Sequence, residues 1–232
     1  MRQIAEGVFR LRGFPPDMFN VYVVRSGERW ILVDTATRRA KRRILKQLPR
    51  LGKGGLEAIF VTHAHQDHAG AMHDVALATG APVWGPTLEA EVLEGKAPWP
   101  LPEQYRDNLV NRAFRGGWKD PHPVARRIRE GETVGGFQTV ALPGHTPGQL
   151  GLWRESDRLL ICADAMRNMN FYTGLPQLAE PPKIFTCDVA QARRTIGKIA
   201  SMEPRAVAFG HGRPLTNDAA DKIASLAASL PG

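Results

Sequence analysis

Between Val61 and Gly70 the chain reads VTHAHQDHAG, which puts His63, His65, Asp67 and His68 within six positions. Neutral imidazole nitrogens and carboxylate oxygens are the donors that divalent transition metals accept, usually three or four to an ion. His63 and His65, two apart in an extended segment, can both turn to one ion. Asp67 and His68 follow where the chain enters a helix and can reach a second ion nearby. Three more residues of the same chemistry occur later: His145 in LPGHTPG, Asp164 in ICADA and His211 in AFGHG. Five of the seven histidines of the chain are in this set. A carboxylate such as Asp164 has two oxygens and can bridge two cations. Three ligands per ion plus a bridge leave a position open for water, which is the catalytic rather than the closed structural arrangement. His145 or His211 alone would read as an ordinary strand-end residue. Once the cluster at 63–68 is granted, their glycine neighbours, which let a ligand approach closely, make both probable partners.

Such residues converge only if strands end on one rim. The first third reads as strands in GVFRLRG, NVYVVRSG and RWILVDT, the last closing at Asp34, and GGLEAIFVTH is a short apolar run typical of a buried strand. A helix follows the histidine cluster in AMHDVALATG, with Gly80 as its stop; APVWG is a strand and PTLEAEVLEG a short helix starting at Pro86. Strands resume in GGFQTVALPGH, LGLWRES and RLLICADA. A polar loop runs from Met166 to Thr186, and a helix begins in CDVAQARRTIGKIASM with Asp188 as N-cap. RAVAFGHG is the last strand and NDAADKIASLAASL the last helix. Every candidate ligand then lies at a strand end or just after one.

The 232 residues, 43% of them hydrophobic, suit one domain with a substantial core. Residues 95 to 126 differ, being proline-rich and carrying Trp99, Tyr105, Phe114 and Trp118; they read as an insertion or lid, helical from Glu103 to Phe114. No apolar run reaches the roughly 18 residues of a membrane span, and no secretion signal is visible, so no membrane partner is expected. Two cysteines, Cys162 and Cys187, make no disulfide framework and read as packed thiols, which places the chain in a reducing cytoplasm. The net charge of +8 is concentrated in Arg38 to Arg50. That stretch is a nucleic-acid patch or a helix turning Ala40, Ile44, Leu45 and Leu48 inward. Without interleaved aromatics the solvated helix is favoured, so nucleic acid is a considered but disfavoured partner. His73 reads as an exposed helix residue, and His122 as a minor candidate for the pocket.

With THAHQDH, GHTPG, ADA, GHG and the strand-closing Asp34 in this order, the sequence resembles the metallo-β-lactamase superfamily and its His-x-His-x-Asp-His motif. The resemblance implies an αββα sandwich, two mixed β-sheets face to face with helices outside and two divalent metal ions at one edge. It implies that His63, His65 and His145 hold one ion, that Asp67, His68 and His211 hold the other, and that Asp164 bridges them. Asp34 would orient the metal loop without ligating. Zinc is the expected metal; iron, manganese, cobalt and nickel suit the same donors.

Two metals can share a hydroxide, because binding lowers the pKa of water to roughly 7. With Asp67 orienting the nucleophile and shuttling a proton, the reaction class is metal-assisted hydrolysis of a small-molecule substrate. True β-lactamases of the superfamily generally lack the bridging aspartate, so Asp164 argues against antibiotic hydrolysis. Flavin-linked di-iron relatives have glutamate where His65 stands. Lactonases of the family often carry tyrosine three residues after the bridge, where this chain has Arg167, with Tyr172 close by. An ester, thioester or lactone is therefore favoured, in an apolar, partly cationic pocket formed by Arg167, Trp99, Trp118 and Tyr172. A phosphodiesterase or nuclease and a mono-iron sulfur dioxygenase are the alternatives.

Overall fold

Along Arg29–Val33 successive side chains face opposite ways: Trp30 and Leu32 pack on one side, Ile31 and Val33 on the other. Leu159–Ala163 repeats the pattern, with Leu159 and Ile161 in one core and Leu160 and Cys162 in another. This is the period-two geometry of a strand. Here it leaves both faces of each sheet apolar, so each sheet must be covered twice. In the computed structural model, which describes residues 1–12, 17–52, 54–115 and 120–231, the result is four layers.

The first sheet takes seven strands in chain order: β1 (Arg2–Ala5), β2 (Val8–Arg10), β3 (Tyr22–Ser26), β4 (Arg29–Val33), β5 (Leu56–Phe60), β6 (Val83–Pro86) and β7 (Val124–Ile128). β1 to β4 are antiparallel neighbours, whereas β4 to β7 run parallel. The second sheet begins with β8 (Thr133–Val134), β9 (Phe137–Ala141), β10 (Leu150–Arg154) and β11 (Leu159–Ala163), all antiparallel. β12 (Arg167–Asn168) and β13 (Leu178–Ala179) form a separate ribbon, and β14 (Ala206–Phe209) returns to pair parallel with β11. The helices are α1 (Lys41–Leu45), α2 (Gln66–Ala69), α3 (Met72–Thr79), α4 (Ala90–Leu93), α5 (Leu109–Arg115), α6 (Val189–Ser201) and α7 (Ala219–Ser229).

Three cores follow. Between the sheets, Tyr22, Ile31, Val33 and Phe60 meet Phe137, Leu152 and Ile161. On the outer face of the first sheet, Leu32, Ile59 and Val61 pack against Ile44 of α1, Met72 and Val75 of α3 and Leu93 of α4. On the outer face of the second, Leu160, Cys162 and Phe209 pack against Ile196 and Ile199 of α6 and Ile223 of α7. This is the αββα sandwich.

Parallel pairing also makes the site. Val33 of β4 registers with Phe60 of β5, and Ala163 of β11 with Phe209 of β14. Asp34, His63, Asp164 and His211 therefore leave neighbouring strands at a common rim.

Several expectations need correction. The basic run at 38–50 is not one helix: a 3-10 turn at Arg38–Ala40, the short α1 and a second 3-10 turn at Leu48–Leu51 divide it. Pro49, which has no amide hydrogen to donate, opens the last turn. The stretch Glu103–Phe114 divides likewise, into a 3-10 turn at Glu103–Tyr105 and α5. Asn108 accepts the Asn111 amide at 2.7 Å and starts a new helix there. β7 begins inside the supposed insertion and completes the first sheet at its edge. Pro86 ends β6 rather than starting α4, because a turn closed by Glu89 N donating to Pro86 O intervenes. Gly80 does end α3 in the left-handed region, and Asp188 does cap α6, accepting the Gln191 amide at 2.8 Å. No described helix is long and apolar enough to cross a membrane.

Candidate metal centre

Two turns that strain non-glycine residues open onto the rim. Asp34, just past β4, has φ 61°, and Ala163, at the end of β11, has φ 48°. Such left-handed residues persist where surrounding contacts over-determine them, often at functional sites. The turn at Ala163 breaks strand alternation, so Cys162 stays in the helix-side core while Asp164 joins the histidines. Sharing a face with Asp164, as period two alone would place it, is thereby overturned for Cys162. Burial pushes its thiol pKa well up, and that of Cys187 up to about 12.

Each of the five buried imidazoles is tied at one nitrogen to a partner away from the centre. His63 Nδ1 is 3.0 Å from Thr62 Oγ1, which itself donates to Asp34 Oδ2 at 2.9 Å. His68 Nδ1 is 2.8 Å from that same Asp34 oxygen, and the Thr62 amide donates to Asp34 Oδ1 at 2.8 Å. His65 Nε2 faces Pro100 O at 3.1 Å, His145 Nδ1 faces Thr186 Oγ1 at 3.4 Å, and His211 Nδ1 bonds Met18 O. Anchoring one ring nitrogen selects the tautomer and aims the other, which is how metal-binding histidines are held.

The remaining nitrogens converge. His63, His65 and His145 form one group of donors within 4.8 Å of one another, and Asp67, His68 and His211 form a second. Asp164 reaches both: its oxygens lie 3.3 Å from His68 Nε2, 3.6 Å from His145 Nε2 and 3.0 Å from His211 Nε2. His63 Nε2 is buried with no hydrogen-bond partner, and His68 Nε2 and Asp164 Oδ1 are buried facing only each other at 3.3 Å. Buried polar atoms are rarely left so, and three converging in one cluster fit coordination to cations. Gly210 keeps the space open, since a Cβ there would lie 2.0 Å from Asp164 Oδ1 and 2.5 Å from His68 Cε1.

The electrostatics divide the set. Burial lowers the pKa values of His63, His65 and His145, the last to about 3, so these rings are neutral donors. For His68 and His211 burial pulls the same way, but Asp164, with Asp34 on His68 and Asp67 on His211, outweighs it. His211 rises to about 10. Burial would raise Asp67 and Asp164, yet the adjacent histidines hold both carboxyls low, Asp67 at about 2. One buried carboxylate and one partly buried carboxylate side by side call for positive charge, which protons or divalent cations can supply.

The substrate-pocket expectations fare unevenly. Trp99 stacks on the His65 ring, centroids 5.9 Å apart and planes at 18°, and also packs on the outer core. Tyr172 is 99% exposed and lines no part of the cleft, because the turn around Asn170 points it to solvent. Arg167 also stays off the cleft surface, its guanidinium lying over the Phe171 ring and donating to Met169 O. Trp118 lies outside the described residues. His122 pairs with His73, Nδ1 to Nδ1 at 3.3 Å, which leaves His73 half-buried rather than exposed and His122 away from the cleft.

Sequence reasoning missed Glu89, which is 1% exposed. Its carboxylate accepts the Ala64 amide at 3.0 Å and the Gly148 amide at 2.8 Å, clamping the loop of His63 and His65 to that of His145. An acid in the apolar context TLEAEVL was its only signal. Phe19 and Phe171, edge-on to His211, were missed as well.

Comparison with known proteins agrees with this geometry. The chain is 29% identical over 233 residues to the probable metallo-hydrolase YflN of Bacillus subtilis, covering 92% of this chain and 87% of that one. It is 28% identical over 145 residues to a hydroxyacylglutathione hydrolase of Ectopseudomonas mendocina, covering 59% of this chain and 46% of that one. Among solved structures, TTHA1623 in a di-iron-bound form superposes with a TM-score of 0.63 at 26% identity, over 89% of this chain and 93% of that one. A family profile for the metallo-beta-lactamase superfamily matches residues 15–211, which contain all seven converging side chains and Asp34; the chain belongs to that superfamily.

Proposed function

We propose that the protein is a binuclear metal-dependent hydrolase of a small-molecule ester, thioester or lactone. Membership of a metallo-hydrolase family supports the hydrolase class, and one geometric observation carries the binuclear reading. Asp164 stands between two groups of three donors, each imidazole anchored at its outward nitrogen. His63, His65 and His145 would hold one ion, Asp67, His68 and His211 the other, with Asp164 shared. When bound, such ions supply a hydroxide near neutral pH and Lewis acidity toward the substrate oxygen. Zinc is the first choice; the di-iron relative makes iron the second.

The chain's own residues do the rest. Asp34 fixes the ring of His68 and, through Thr62, that of His63. Asp67 lines the cleft and stays ionised. As a carboxylate it orients the attacking water, takes up the proton that water gives up, and passes that proton to the leaving group. The two free cysteines support a cytoplasmic setting.

Metal analysis of purified protein should return about two ions per chain. A substrate panel of lactones, S-acyl thiols, bis-p-nitrophenyl phosphate and glutathione persulfide then assigns the class. Turnover of the phosphodiester alone would overturn the proposal. One iron per chain with persulfide oxidation would replace it with a dioxygenase.

A further inference from the structure

The cleft above the candidate ligands is walled by hydrocarbon. Met18 and Phe19 come from the segment before β3, and Phe171, Pro182 and Phe185 from the segment between β11 and α6. The cavity measures about 120 Å³, which is room for a short substituent rather than for a whole drug-sized ligand. Phe19 and Phe171 stand edge-on to the His211 ring, with centroids 5.9 and 5.2 Å away, so two benzene rings flank the centre.

Apart from the histidines of the centre, the basic side chains are placed elsewhere. The chain carries 31 lysines and arginines, yet among the described residues none lines this cleft. The wall segment itself contains Arg167 and Lys183. Arg167 packs over Phe171 at 5.3 Å, and neither residue lines the cleft. Among the described residues, the wall expected from sequence to be partly cationic is therefore apolar. An anionic substituent held against this wall, away from the candidate ligands, would lose hydration without gaining a partner there, which disfavours it strongly. A hydrocarbon chain would gain by leaving water. Glutathione conjugates and nucleic-acid phosphodiesters both carry charges that this wall does not answer.

Resting on the hydrolase reading above, we infer that the substrate presents an uncharged apolar acyl group, a short alkyl or aryl chain, held between Phe19, Phe171 and Phe185. The reacting carbonyl then lies over the candidate ligands with the hydrocarbon against the three rings. Phe171, 38% exposed, sets the selectivity without supporting a core.

The test is a series of p-nitrophenyl esters, from acetate through butanoate and pentanoate to hexanoate, on the metal-loaded protein and corrected for hydroxide-catalysed rates. The half-ester of glutarate serves as a charged counterpart of the pentanoate. The kcat/KM should rise about threefold to fourfold per methylene until the cleft is full. The glutarate half-ester should fall at least about tenfold below the pentanoate. In Phe171→Ala the ratio of hexanoate to acetate should shrink by at least about threefold. Ester turnover with no dependence on chain length, or with the charged ester equal or better, overturns the inference and leaves the hydrolase reading standing. If no ester, thioester or lactone turns over while bis-p-nitrophenyl phosphate does, the hydrolase reading falls and takes the inference with it.

Discussion

Glu89 Oε1 accepts the backbone amide of Gly148 at 2.8 Å, while its Oε2 accepts that of Ala64 at 3.0 Å. One buried carboxylate thus joins two loops whose histidines are proposed to share an ion. Glu89→Gln can satisfy only one of the two amides and turns a donor toward the other. A buried unsatisfied amide costs about 1–3 kcal/mol, and loosened ligand support about 10–100-fold in metal affinity. Thermal unfolding and competition with a chromogenic chelator measure the two effects. Unchanged values for both would show that the clamp positions nothing.

Asp34 Oδ2 sits between His68 Nδ1 and Thr62 Oγ1. Asp34 Oδ1 also accepts the Thr62 amide, so Asp34→Asn replaces one of two accepting oxygens with an NH2 group that faces a donor. Metal affinity should fall about 10–100-fold, mostly at one of the two ions. Stepwise metal titration reads this as a loss of stoichiometry at limiting metal. Two ions bound with undiminished affinity would refute it.

Gly210→Ala tests the crowding behind the bridge. The added methyl would lie 2.0 Å from Asp164 Oδ1, so the carboxylate must move. Activity should drop at least about tenfold, since a ligand displaced by about 1 Å can cost a hundredfold. Circular dichroism should remain that of the folded chain. A fully active variant would mean that Asp164 need not stay where it is.

The metal-free chain should be most stable near pH 6.5. His145 is depressed to about 3 from 6.5. Between those values the unfolded chain binds the extra proton, so stability falls as pH drops through this window. His211 is raised to about 10. Its contribution is whole below pH 6.5 and is lost as pH rises toward 10. Denaturation midpoints in chelator across pH 4 to 10 should trace that peak. Bound metal should flatten the alkaline limb, because His211 would then have a cation rather than a proton as its partner.

Much of this was legible in the chain itself. Alternating apolar residues in RWILV and LLICA specify strands buried on both faces, and donors placed just past strand ends specify a rim of ligands. These signals repeat over two to four residues, so neighbours in sequence carry them. The aromatic walls were less legible. Tyr172 is as aromatic on paper as its neighbour Phe171, and only the turn around Asn170 decides which of the two faces the cleft.

The sequence alone supplied the candidate donors, their order and the strands that carry them, because residue type and periodicity are local properties, and the motifs' resemblance to a family implied the four-layer sandwich. Tertiary structure decided which nitrogen of each imidazole faces inward. The anchors of those nitrogens include an oxygen 193 positions away for His211, 41 for His145 and 34 for His68. It also decided that Glu89 clamps a loop 59 positions distant, and that hydrocarbon walls the cleft above the candidate ligands. Hydrogen bonds and packed walls join residues that only folding brings together, so no run of neighbours encodes them.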